Sequence, residues 1–375
     1  MPDKHNNKIQ FAMLVMLCFI TALYAARNVD FAPMNGTFQN YNPVRRLLDG
    51  QIPFKDFADY LGLGHLYLGA GLTGILGGSF RGSLIAFNML SSLSFVLISS
   101  LLGTAVLGRK RDALNVTGIC FVVMAGLLYC VRKIFPELLS PLLMRSINYF
   151  LATGNSARFV RALVIPIVML IVISCEKIVR VSHHKGVLSS AGAGVIGGFA
   201  FTYGNDFGIS CWVCMHIMTF VVAISRSRKL RTAVCCTFLE IFVSVMCILL
   251  SAWIFTAGHL QNWMSVIMQS GGYQAWYYNS GKSYYVYQAD YAVLFTQGTL
   301  SIVYLLKIFA RKGDTASIKR YGLPAFANIV SCCAANEYRL MSGNFLREPS
   351  MIILIMTIIF ETLFIKNQVG RIKSE

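Results

Sequence analysis

The sequence predicts an all-α integral membrane protein, a polytopic helical bundle of about ten transmembrane helices with interfacial helices in the first external loop. Three observations lead there. Hydrophobic residues make up 56% of the chain and charged residues only 13%, against roughly 25% charged in an ordinary soluble domain. Apolar stretches of about 20 residues, enough to cross ~30 Å of hydrocarbon, recur along the whole length. Each is bounded by Lys and Arg clusters, the mark of loops kept on the cytoplasmic side.

The first stretch, residues 9–26, follows Lys4 and Lys8 and shares that basic start with secretory signals. It is too long for a signal core and has no clear small-x-small cleavage site before residues 27–30, so it is expected to stay as a first span. Nine more spans are expected at residues 82–107, 113–131, 158–175, 187–204, 208–225, 232–257, 291–309, 322–338 and 349–365. With the amino terminus inside, the cytoplasmic segments hold 20 of the 33 basic residues, among them Arg109–Arg111, Arg226–Arg231 and Lys307–Arg320. Both termini are then cytoplasmic and the chain belongs in the cytoplasmic (inner) membrane. The net charge of +17 is accounted for by topology and anionic headgroups, so no nucleic-acid partner is expected.

That topology requires residues 66–80 not to cross. They are short for a span and carry glycines at 69, 71, 74, 77 and 78, which suits an interfacial or re-entrant helix. Two large external loops follow from it, residues 27–81 and 258–290, within a single transmembrane domain over residues 1–375. Long loops with their own composition are usually functional. No internal repeat of the kind found in many carriers is visible. Most cysteines sit in apolar runs, and the pair Cys211 and Cys214 reads as buried thiols, with no second pair at metal-ligand spacing.

The first loop holds an ordered set of features. An acid, Asp30, follows the first span; then comes an amphipathic segment ending RRLLDGQ (residues 45–51), the motif PFKD (residues 53–56), a Gly-His lead-in at His65, and a short apolar helix closing in a glycine-rich turn. In this order, over residues 9–111, the chain resembles the C-type (GT-C) glycosyltransferases, polytopic enzymes that take sugars from polyprenyl-phosphate donors. The resemblance implies a cavity open to the outer face, with an acidic residue of the first loop as base toward the acceptor. Asp30 is the residue that can take this role. The family's acid often lies nearer the amphipathic helix, where this chain has Asn35, and an amide cannot accept a proton.

Cations stabilise a leaving polyprenyl phosphate, which makes Lys55, Arg45 and Arg46 candidates for the donor phosphate. Contact with lipid headgroups is the other reading of Arg45 and Arg46. Asp56 and Asp59 flank Lys55 and are expected to order the loop as ion-pair partners. Asn205 and Asp206, in the motif YGNDFG, lie at an outer turn on the same side and belong either to the site or to a helix-capping turn. The second loop is dense in Tyr and Trp, with Tyr284 and Tyr285 among them; aromatic rings stack on sugar C–H faces, and they also gather at membrane interfaces.

Inside the spans, Glu240 must face the bundle, because a carboxylate toward lipid costs about 2.5–3.5 kcal/mol. His216 reads as a hydrogen-bonded packing residue, and Glu361 is expected to reach Lys366.

Two functions of different class remain. One is a membrane glycosyltransferase moving a sugar from a polyprenyl-phosphate donor to an extracytoplasmic glycan or lipid acceptor, with membrane lipid around it. The other is a non-catalytic carrier, flippase or binding protein for lipid-linked glycans. No metal cluster is written in the sequence, although one carboxylate with a donor phosphate is a set that can hold a divalent cation.

Overall fold

A computed structural model describes residues 2–27, 36–59, 61–131, 161–179, 185–204, 207–279, 288–336 and 350–372, with Ile134, Leu143, Ile147, Phe150 and Leu151 besides. The helices are α1 Pro2–Arg27, α2 Gly36–Leu48, α3 Leu63–Ile75, α4 Phe80–Leu107 and α5 Lys110–Gly126, which continues as a π-helical turn to Val131. Then come α6 Val164–Val179, α7 Lys185–Tyr203, α8 Phe207–Ser227, α9 Leu230–Phe255, α10 Leu260–Asn279, α11 Gln288–Ala310, α12 Leu323–Asn336 and α13 Ser350–Ile372. Among the described residues, seven of these helices are long and apolar enough to cross a membrane. The shorter α6, α7 and α12 lie at the other three positions where the hydropathy pattern expects spans. The chain is a multi-pass helical bundle because only helices satisfy every backbone N–H and C=O within one segment when no water is at hand.

Helix α4 is the most enclosed. Its start is capped by the Ser79 hydroxyl, which accepts from Gly82 N–H at 3.1 Å. It stops at Gly108, whose φ of +73° is the left-handed conformation a glycine adopts without strain. The chain turns directly into α5, and the two helices pack with the Ser99 and Thr117 hydroxyls 2.9 Å apart.

Relative direction decides what α3 does. Gln10 near the start of α1 donates to Asn115 near the start of α5 at 3.0 Å. Tyr24 and Tyr129 meet edge-on near the other ends, ring centres 4.9 Å apart. Thus α1 and α5 run parallel, which requires an odd number of crossings between them, and of α2, α3 and α4 only α4 is long and apolar enough to cross. The 13 residues of α3 would extend about 20 Å at 1.5 Å per residue, short of the hydrocarbon thickness. It lies beside α2, where Tyr41 donates to the Gly78 carbonyl at 3.3 Å.

The second half is built on small residues. A Cβ added at Gly194 would stand 2.5 Å from the Glu240 carbonyl oxygen, and one at Gly198 would stand 2.5 Å from that of Ser244. Helices α7 and α9 therefore run parallel with their backbones in contact, as small-xxx-small stripes permit. The Thr202 and Ser251 hydroxyls, 2.7 Å apart, close the same seam. In α11, Gln297 donates to Ser331 of α12 at 2.9 Å and to the Ser350 carbonyl of α13 at 3.0 Å, knitting three helices by a buried amide.

The basic clusters gather at one end of the bundle. There Arg226 donates to the Gly313 carbonyl at 2.9 Å and Arg228 to that of Phe309 at 3.1 Å. Glu361 does not reach out to Lys366. It is held by the Arg320 guanidinium through two bonds of 2.8 and 2.7 Å, with Tyr304 donating at 2.8 Å, because a two-pronged partner within the bundle satisfies a carboxylate better than a headgroup-level amine. The opposite end carries α2, α3 and α10; it is called the loop end below. Residues 260–279, treated in the sequence as part of a loop, are the helix α10.

Candidate functional site

At the loop end, residues 51–57 make a tight turn. Phe54 N–H donates to the Phe57 carbonyl at 2.6 Å, and Ile52 N–H donates to the Asp56 carboxylate at 2.8 Å. Arg46 braces it from α2: Nε donates to Gln51 at 2.5 Å, Nη2 to the Asp56 carbonyl at 2.6 Å, and its guanidinium lies 4.9 Å over the Phe57 ring.

Phe54 has φ +65°, a conformation that costs a residue with a Cβ on the order of 1–3 kcal/mol and persists only where surroundings enforce it. Its ring is buried with Leu63, Ile248, Ala252 and Trp263, and its carbonyl accepts from Asn262 of α10 at 2.8 Å. Farther along, Tyr67 of α3 donates to the Phe255 carbonyl at 2.6 Å. The first loop is thereby fastened to the end of α9 and the start of α10.

Beyond the turn the chain meets the α7–α8 connection backbone to backbone. Gly62, at φ +123°, has no room for a Cβ, which would lie 2.5 Å from the Gly204 Cα. A Cβ at Gly64 would lie 2.7 Å from the Tyr203 Cα. This close approach buries three ionisable side chains together: Asp59 is 5% exposed, His65 2% and Arg161 3%.

One Asp59 oxygen accepts from Leu61 N–H at 2.9 Å and the other stands 3.9 Å from His65 Nε2. The Arg161 stem runs beside Gly204, 3.4 Å from where a Cβ there would be. Burial pushes the Asp59 carboxyl up to about 6, while the Leu61 N–H and the Arg161 charge pull against that rise. A carboxyl so poised can carry a proton near neutral pH, and an adjacent guanidinium can stabilise a developing anion.

Of the residues singled out from sequence, His65 joins this cluster and Arg46 and Asp56 build the turn above it. Asp56 orders the loop through Ile52 N–H on its carboxylate and the Arg46 bond to its backbone carbonyl, by hydrogen bonds rather than the ion pair expected of it. Arg45 and Lys55 are exposed on the same loop. Asp30, Asn205, Asp206, Tyr284 and Tyr285 lie outside the described residues, as does Asn35; the described flanks of the YGNDFG motif, Tyr203 and Phe207, are buried beside the cluster.

Asp59 reads in the sequence as a loop-ordering partner, whereas the structure buries it with His65 and Arg161. The sequence signal for Arg161 is its place inside an expected span, where an ionisable residue is a functional candidate by default.

Within the spans, Glu240 is fully buried and hydrogen-bonded to His216. The Trp212 ring meets the imidazole edge-on at 4.6 Å, and Trp212 Nε1 donates to Ser244 at 2.9 Å. Cys211 and Cys214 are buried free thiols. Among the described residues no three His, Cys, Asp or Glu side chains come together as a metal site. No protein-family model, curated protein or solved structure matches this chain.

Proposed function

We propose that the protein is a membrane glycosyltransferase that moves a sugar from a polyprenyl-phosphate donor to a glycan or lipid hydroxyl, with the loop end facing away from the cytoplasm. The observation that carries this reading is the buried group of Asp59, His65 and Arg161 at one end of a membrane bundle, beneath a clamped first loop. Transfer needs a base for the acceptor hydroxyl, a cation for the leaving phosphate and a place with little water, all within one pocket. Asp59 supplies the base and Arg161 the charge; His65 orients the carboxylate, and Lys55 and Arg45 meet the donor headgroup at the rim.

In the proposed step the acceptor oxygen bonds to the sugar anomeric carbon as the bond from that carbon to the phosphate oxygen breaks. The hydroxyl proton passes to Asp59, and polyprenyl phosphate leaves with the bonding electrons. Direct displacement inverts the anomeric configuration. The sidedness rests on the basic residues of the opposite end, which positive-inside bias assigns to the cytoplasm.

Cell-free transfer with defined polyprenyl-phosphate sugars tests the reading: the wild type should transfer sugar and Asp59→Asn should not. Absence of transfer by the wild type from every donor, with donor binding retained, would discard the enzyme.

The carrier reading keeps one observation on its side. A His–Glu pair within the spans is the kind of group that proton-coupled carriers use. Sugar-lipid flux across vesicles that is lost in Glu240→Gln would favour it.

A further inference from the structure

Far from the candidate site, at the basic end, α6, α7 and α8, with residues of α9 and α12, line a cavity of about 560 Å³, within the range of roughly 300–1,000 Å³ typical of small-molecule sites. It follows α8 from Met215 to Ser227, a length of about 18 Å at 1.5 Å per residue. The lining is graded along that length. Val168, Ile196, Met215 and Phe326 line it deep in the bundle, while Arg226, Ser227, Thr232 and Thr315 stand where the helices end. Arg226 is exposed there. Residues 226–231 and 307–320 carry nine Lys and Arg against a single carboxylate, Asp314.

A long apolar slot that opens onto a cationic rim matches an amphiphile with a hydrocarbon chain and a negative headgroup. From this geometry we infer that the cavity is a binding site for an anionic phospholipid, one acyl chain lying along α8 and the phosphate near Arg226. The apolar depth selects the chain, since a water-filled slot of this lining would leave the water without partners. The rim selects the charge, each Lys or Arg near an anionic surface being worth about fivefold in affinity. Such a lipid would bridge α6 and α8, which touch each other less than either touches α7. This inference stands apart from the proposed transfer reaction.

Gly192 offers a clean test. It lines the cavity, and a Cβ built on it meets nothing within 4 Å, so Gly192→Leu fills the slot without displacing a neighbouring helix. Gly126 of α5 also meets nothing within 4 Å but lies outside the cavity, and Gly126→Leu is the matched control.

The full chain would be reconstituted in nanodiscs of equal phosphatidylcholine and phosphatidylglycerol and extracted into non-ionic detergent, and the retained lipid identified by mass spectrometry. Wild type and Gly126→Leu should retain phosphatidylglycerol over phosphatidylcholine by about fivefold or more. Gly192→Leu should lose both lipids. Arg226→Gln should keep a lipid but lose most of the preference. Equal retention of the two lipids by the wild type, or undiminished phosphatidylglycerol on Gly192→Leu, overturns the inference. Thermal unfolding of each variant in detergent shows which are folded, and a misfolded Gly192→Leu is replaced by Ala193→Phe, which projects from the same wall.

Discussion

Among the described residues two acid–histidine pairs lie inside the bundle, and they are built differently. Glu240 and His216 face each other across adjacent helices in direct hydrogen bond, enclosed by Trp212 and Ser244. Asp59 and His65 are 3.9 Å apart on one loop, with Arg161 brought in by a distant part of the chain. In the hydrocarbon zone a carboxylate has no solvent to turn to, so its histidine is committed to it. At the loop end, with backbone N–H and guanidinium sharing the charge, the acid is held in place without being spent on its histidine. One arrangement stabilises a helix pair; the other leaves a proton-carrying group poised.

The comparison breaks most visibly in activity. Asp59→Asn should lower sugar transfer by roughly 10²- to 10⁴-fold, the usual weight of a general base, while the purified variant unfolds within a few degrees of wild type. Equal loss of folding and transfer would make Asp59 merely structural, like Glu240.

The reverse pattern is expected for the pair within the spans. His216→Ala leaves a buried carboxylate alone and should destabilise the bundle by about 3–5 kcal/mol, measured by denaturant unfolding in detergent. The double variant His216→Leu with Glu240→Met should recover most of that, because neither charge then needs a partner. A double variant as unstable as the single one would mean that the pair has a role beyond packing.

Acidity sharpens the contrast. Asp59 titrates at about 6 when folded, above its ordinary value of 3.8, so the folded state binds the extra proton between those values. Stability should therefore fall as pH rises from about 4 to 6 and level off above, by on the order of 3 kcal/mol. Asp59→Asn should remove that slope. A transfer rate that depends on the Asp59 base should rise between about pH 5 and 7, with its midpoint near 6. A pH-rate profile flat from 5 to 8 would remove Asp59 from the reaction.

The smallest effect concerns the backbone that assembles the site. Gly62→Ala must push against the Gly204 backbone and take φ +123°, which should cost about 1–3 kcal/mol and loosen the Asp59 cluster. Gly71→Ala, in the same loop with nothing within 4 Å of the new Cβ, should gain or lose under about 1 kcal/mol by unfolding in the same detergent. Equal effects would show that the close approach of α3 to the α7–α8 turn is unimportant.

The positions of the seven helices long and apolar enough to cross, among the described residues, were legible in the sequence because hydrocarbon thickness and the apolar run needed to cover it are local quantities. So was the short, glycine-rich α3, too brief to cross, and so was the inward facing of Glu240, since any other placement is too costly. Partners were not legible. Nothing local distinguishes a Glu361 that reaches Lys366 from one held by Arg320 and Tyr304, or an Asp59 that merely orders its loop from one buried with Arg161, about a hundred residues away. Those choices depend on which helices lie side by side. In a bilayer that is decided by backbone fit at Gly62, Gly64, Gly194 and Gly198, a matter of three-dimensional shape to which hydropathy along the chain is blind.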